Sequence, residues 1–86
     1  MTHFASPEFW FHYRQLPNEV RELADQKFSI LKCDPSHLSL RLKKVGQYWS
    51  IRVGLNYRAL AKSRHEGLLW FWVGPHSEYD SIISYF

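Results

Sequence analysis

The sequence predicts an α+β fold: an N-terminal helical hairpin packed on a four-stranded antiparallel sheet, followed by a short C-terminal helix. Three observations predict it. Apolar residues recur at helical spacing as far as Lys32, and the period changes to two after His37. Residues 68–73 (Leu-Leu-Trp-Phe-Trp-Val) then form an unbroken bulky run that Gly74 and Pro75 stop. A strand wet on one face alternates apolar and polar residues. This run does not, so it reads as a strand covered on both faces, in the interior of a sheet. Proline ends it because it has no N–H to give to a ladder.

Ser6-Pro7-Glu8 has the chemistry of a helix start: a hydroxyl cap, proline in the first turn, and an acid at the positive end of the dipole. The helix after it should bury Phe9, Trp10 and Tyr13. Leu16-Pro17 interrupts, and a second helix is expected to about Lys32, with Val20, Leu23, Ala24, Phe28 and Leu31 on one stripe. Asp34-Pro35-Ser36 ends it. Leu38, Leu40 and Leu42 alternate with Ser39, Arg41 and Lys43, which predicts a half-buried strand. Gly46-Gln47 turns the chain into a second strand, with Trp49, Ile51 and Val53 on one face and Tyr48, Ser50 and Arg52 on the other. Gly54-Leu55-Asn56 is a tight hairpin loop returning as a third strand from Tyr57 to Lys62. After Pro75, Ser77 and Asp80 have the spacing of an acidic capping box for the last helix. With the helices on one face, the other sheet face should be partly open and present Arg52 and Arg58, with Tyr48 and Lys62.

Eighty-six residues, 45% apolar and 17% aromatic, suffice for one domain spanning residues 1–86. A single cysteine, Cys33, excludes an internal disulfide framework and suits a reducing cytoplasm. No signal peptide and no membrane span is expected. The net charge of +3 is modest, but it is segregated. Residues 38–65 carry seven basic side chains (Arg41, Lys43, Lys44, Arg52, Arg58, Lys62, Arg64) and no acid, an electrostatic footprint for a polyanion or an acidic partner.

The five histidines show no metal-ligand spacing, so no metal site is expected. There is no glycine-rich phosphate loop, serine elbow or carboxylate pair in apolar strands, and no cofactor is expected. What remains is guanidinium, ammonium, imidazole and phenol beside a sheet, an inventory suited to phosphodiester chemistry. A base frees the RNA 2′-hydroxyl to attack its own phosphate, arginines stabilise the charge that gathers on phosphorus, and an acid protonates the leaving 5′-oxygen. The quieter readings are arginines paired with carboxylates, His76 as a helix-start residue, Tyr79 as a packing residue, and solvated lysines.

Four phrases in order, "FWFHYRQLPNEV", "DPSHLSLRLKKV", "YWSIRVGLNYRAL" and "WFWVGPHSEYD", make the chain resemble the RelE/ParE superfamily of bacterial toxins, in its ParE-like/HigB-like branch. The resemblance implies a toxin held inactive by a cognate antitoxin protein. Many relatives cut messenger RNA in the ribosome, leaving a 2′,3′-cyclic phosphate; the ParE branch instead poisons DNA gyrase. By resemblance the active-site charges fall on Arg52, Arg58, His76 and Tyr79; the acid-free basic segment itself offers Arg41, Lys43, Lys44 and Lys62 to hold nucleic-acid phosphates. Where the RelE branch has a lysine pair, this chain has Ser50 and Arg52, so His76 would serve as base or acid. The expectation is therefore a translation-inhibiting endoribonuclease; the alternatives are a non-enzymatic gyrase inhibitor and an inactive antitoxin- and operator-binding module.

Overall fold

The computed structural model describes residues 2–84. In chain order it contains β1 (Thr2–Ala5), α1 (Pro7–Arg14), α2 (Asn18–Cys33), a short 3₁₀ turn (Leu38–Leu40), β2 (Lys43–Val45), β3 (Tyr48–Arg52), β4 (Tyr57–Arg64), β5 (Gly67–Pro75) and α3 (His76–Ile83). The strands form one sheet in the order β1-β5-β4-β3-β2. The α+β class, the helical hairpin and the interior position of β5 agree with the sequence.

The sheet has five strands rather than four. β1 pairs in parallel with β5, Thr2 opposite Gly67 and Ala5 opposite Trp70. Four residues are too few to show a period, which hides this strand in the sequence. Gly67 makes the pairing possible: it sits at φ 150°, and a Cβ there would stand 2.1 Å from the Thr2 carbonyl oxygen. The predicted strand at Leu38, Leu40 and Leu42 is also corrected. Leu38–Leu40 is the 3₁₀ turn, with Leu38 almost wholly exposed and Leu40 buried. The His37 ring accepts the Ser39 N–H, and Arg41 adopts the left-handed conformation at φ 48°. These local bonds compete with a ladder, so pairing begins only at Lys43.

A bulge decides how the core divides. Leu60 of β4 pairs with Trp72 and Ala61 with Trp70, so Phe71 is an extra residue in β5. Tryptophans two apart would otherwise share a face. Here Trp70 joins Phe9, Ala24, Leu31, Ile51, Val53, Ala59 and Ala61 beneath the hairpin, whereas Trp72 joins Leu60 and Tyr79 on the other side. That second layer needs a cover, and α3 supplies it with Tyr79, Ile82 and Ile83. The expectation of helices on one face only is thereby overturned. Two smaller corrections concern the hairpin: Trp10 and Leu23 stay exposed, because their helices turn Phe9, Ala24 and Leu31 inward. Among the described residues no helix is long and apolar enough to cross a membrane.

Candidate functional site

The β3–β4 hairpin sets Arg52 directly opposite Arg58, and Arg58 is paired in turn with Gly74 of β5. Alternation puts both arginines on the α3 side, in line with Ser50, Leu60 and Trp72. Like charges directly opposite each other on neighbouring strands destabilise a sheet. Neither guanidinium is neutralised by a carboxylate among the described residues; both bond to main-chain carbonyls. Arg52 Nε donates to the Gly54 carbonyl at 3.4 Å, and Arg58 Nη1 donates to that same oxygen at 3.3 Å and to the Tyr57 carbonyl at 2.8 Å. Gly54 therefore ties the pair together. Its φ of 88° favours glycine, and Leu23 of α2 closes over it, 3.1 Å from where a Cβ would lie. Among the described residues these bonds engage Arg52 Nε and Arg58 Nη1, and none engages the Arg52 Nη atoms or Arg58 Nη2. Burial, and after it the Arg52 charge, push the Arg58 guanidinium below its ordinary range.

Gly74 also leaves room for Trp72. A Cβ at Gly74 would lie 2.6 Å from the indole ring, so the ring covers the strand beside Arg58 only because that side chain is missing.

His76 follows two residues later as the first residue of α3. Its N–H donates to the Asn56 carbonyl at 2.7 Å, which fastens the strand–helix junction to the arginine hairpin. The helix has Pro75 at its N-cap and no side-chain cap, so the predicted Ser77–Asp80 capping box does not form. Asp80 instead faces His76 one turn earlier, with Oδ2 at 3.1 Å from Nδ1. Both side chains are about half exposed. This carboxylate, missed in the sequence, is legible there as an i, i+4 His–Asp pair once the helix is known to start at His76. With Nδ1–H donating to Asp80, Nε2 keeps its lone pair for a proton. Asp80 also acts on Arg58 through space, as do Tyr79 and Arg41. The structure thus brings Arg52, Arg58, His76 and Asp80 to one end of the sheet.

Tyr79 lies within this region but not on its surface. It is 5% exposed, its ring is 5.6 Å from that of His76, and its hydroxyl donates to Ser50 Oγ at 3.4 Å. The basic residues predicted to hold phosphates are spread more widely. Lys43 pairs with Ser50, so it shares the arginine face. Lys44 pairs with Trp49 and lies on the hairpin face. Lys62 sits toward the far end, its ammonium 4.9 Å from the centre of the Phe71 ring.

A family model described as a ParE-like toxin domain matches residues 20–81. No curated protein matches the sequence. Among solved structures, a chain of the RelB–RelE antitoxin–toxin complex from Methanococcus jannaschii superimposes with TM-score 0.70 at 23% identity, covering 96% of this chain and 98% of that one. The YoeB/ParE toxin from Agrobacterium tumefaciens gives 0.65 at 16%, over 88% and 99%. The isolated E. coli RelE toxin gives 0.62 at 17%, over 96% and 95%. At these identities the likeness establishes the fold.

Proposed function

Because the chain belongs to the ParE-like toxin-domain family within the RelE/ParE superfamily, we propose that it is the toxin of a toxin–antitoxin pair and blocks translation by cutting mRNA in the ribosome, without a metal. The observation that carries this reading is the Arg52–Arg58 pair: two opposed cations, held by backbone carbonyls and without a carboxylate partner among the described residues, with an imidazole at the adjoining junction. Such a pair costs stability unless an anion lies between the guanidiniums.

His76 Nε2 takes the proton of the 2′-hydroxyl as its oxygen bonds to phosphorus. The bond from phosphorus to the 5′-oxygen breaks, and that oxygen takes a proton from water, giving a 2′,3′-cyclic phosphate and a free 5′-hydroxyl. His76 then returns its proton to solvent. Arg52 and Arg58 meet the charge that builds on the non-bridging oxygens. Asp80 holds the His76 tautomer. Tyr79, buried against Ser50, fixes α3 and with it His76, a positioning role. Arg41 and Lys43 would hold neighbouring phosphates, and Lys62 and Lys44 more distant ones. The partner is a cognate antitoxin whose acidic, extended segment covers the arginine hairpin, a contact that should weaken with salt.

Inducing the protein in growing bacteria and mapping mRNA ends tests this. The expected result is codon-phased cleavage abolished by Arg58→Ala; uncut mRNA with translation intact would sink it. The ParE-like family match favours a second reading, inhibition of DNA gyrase without catalysis. Loss of supercoiling with purified protein, insensitive to His76→Ala, would establish that reading instead.

A further inference from the structure

The loop that joins β3 to β4, Gly54-Leu55-Asn56, is where the charged groups of the candidate site are fastened. All three of its main-chain carbonyls are engaged. Gly54 accepts from Arg52 and Arg58, Leu55 accepts from Arg58 Nη1 at 3.5 Å, and Asn56 accepts the His76 N–H at 2.7 Å. The Val53 N–H donates to the Tyr57 carbonyl at 2.9 Å and closes the turn beneath them. One short loop thus holds two guanidiniums and the strand–helix junction in a single frame. We propose that the Asn56 side chain reads an adenine next to the phosphate held by the arginines. This rests on the reading of the arginine hairpin as a phosphodiester site and names the base that such a site prefers.

Asparagine in a tight loop ordinarily has a structural reason: it tolerates a positive φ, or its side chain bonds to nearby backbone. Neither applies to Asn56. Among the described residues Arg41 is the one non-glycine with a positive φ, and the left-handed position of this loop belongs to Gly54 at φ 88°. The Asn56 side chain is exposed and makes no hydrogen bond to another described residue. Water satisfies it in the free protein, so a ligand can engage it without breaking any internal bond.

A carboxamide sets one acceptor beside one donor. Adenine offers the complementary pair on both of its open edges, its exocyclic amine lying beside N7 and beside N1, so the match survives either direction of approach. In a single strand those edges are accessible. Leu55, 77% exposed next to Asn56, adds apolar surface for a purine ring. Ring contact alone treats adenine and guanine alike; the amide separates them.

The test titrates the ¹⁵N-labelled 86-residue chain with the 2′-O-methyl RNA trinucleotides UpApU, UpGpU and UpUpU, whose blocked 2′-oxygens prevent cleavage. UpApU is expected to bind about five- to tenfold more tightly than the other two, shifting the Asn56 side-chain amide together with the Arg52 and Arg58 guanidiniums. Asn56→Ala should lower UpApU to the level of UpGpU, leave UpUpU binding as it was, and leave the melting temperature unchanged. Absent binding, equal affinity for all three, an equal loss of all three in Asn56→Ala, or an adenine preference that survives that substitution would each overturn the proposal. The cleavage reading fails separately: mRNA left uncut in cells, with the Asn56-dependent preference for UpApU intact, would sink the reaction and support the base site.

Discussion

Trp70 and Trp72 stand two residues apart on one strand and live in different layers. Trp70 is held on all sides: it is 1% exposed, meets Phe28 edge-on at 5.3 Å, and donates to His3. Trp72 is packed by one short helix and a bare glycine, with His12 tilted at 6.3 Å. The difference teaches where stability and chemistry reside. Beneath the hairpin, Trp70 belongs to a core of Phe9, Ala24, Leu31, Ile51 and Val53 held by packing. The α3 face carries the opposed arginines and the His–Asp pair, charged features that contribute little packing and that the proposed reaction would use.

The largest break in this comparison should come from Trp70→Ala, which costs about 3–5 kcal/mol of unfolding free energy in a denaturant titration. Trp72→Ala should instead release α3, seen as faster amide exchange in residues 76–83 while the α2 amides stay protected. Equal global unfolding by both would show that the faces form one unit. Next is Arg58→Ala. A cleavage rate lowered about 10²–10³-fold is expected, with melting temperature unchanged or higher because a like-charge pair is relieved.

Gly74→Ala sits between the two regimes. Forcing a methyl into the Trp72 ring should cost about 1–3 kcal/mol and disturb the arginine hairpin, visible as shifted Arg52 and Arg58 side-chain resonances. Asp80→Asn keeps the fold and removes the charge that orients His76, so cleavage should fall about 10–100-fold. The smallest effect belongs to His3. Its folded pKa lies below the ordinary value, so on acidification the unfolded chain takes up the proton first. Its contribution to stability is whole above the ordinary value of about 6.5 and drains as pH falls towards the lowered one. His3→Gln should flatten that slope in denaturation curves collected between about pH 5 and 8.

The sequence showed what repeats and what turns. Helical spacing located α1 and α2, alternation located β3 and β4, and the three-residue loop at Gly54 fixed Arg52 opposite Arg58. Features without a period were invisible. β1 exists because Gly67 lacks a side chain far along the chain, and the bulge at Phe71 leaves no trace in an alternation because residues 68–73 are apolar throughout. The side taken by α3 follows from that bulge, so it was hidden too. Asp80 was present as a residue type but assigned to a cap that Pro75 took instead.

The pairing of Thr2 with Gly67 has a consequence for synthesis. A ribosome adds about 5–20 residues per second. β1 therefore waits for seconds without a neighbour, until the strand that completes the sheet emerges. The arginines appear before β5, and His76 appears after it. On the proposed reading, cleaving competence would thus be the last thing a nascent chain acquires, and a polypeptide abandoned before residue 67 would lack the imidazole the reaction needs.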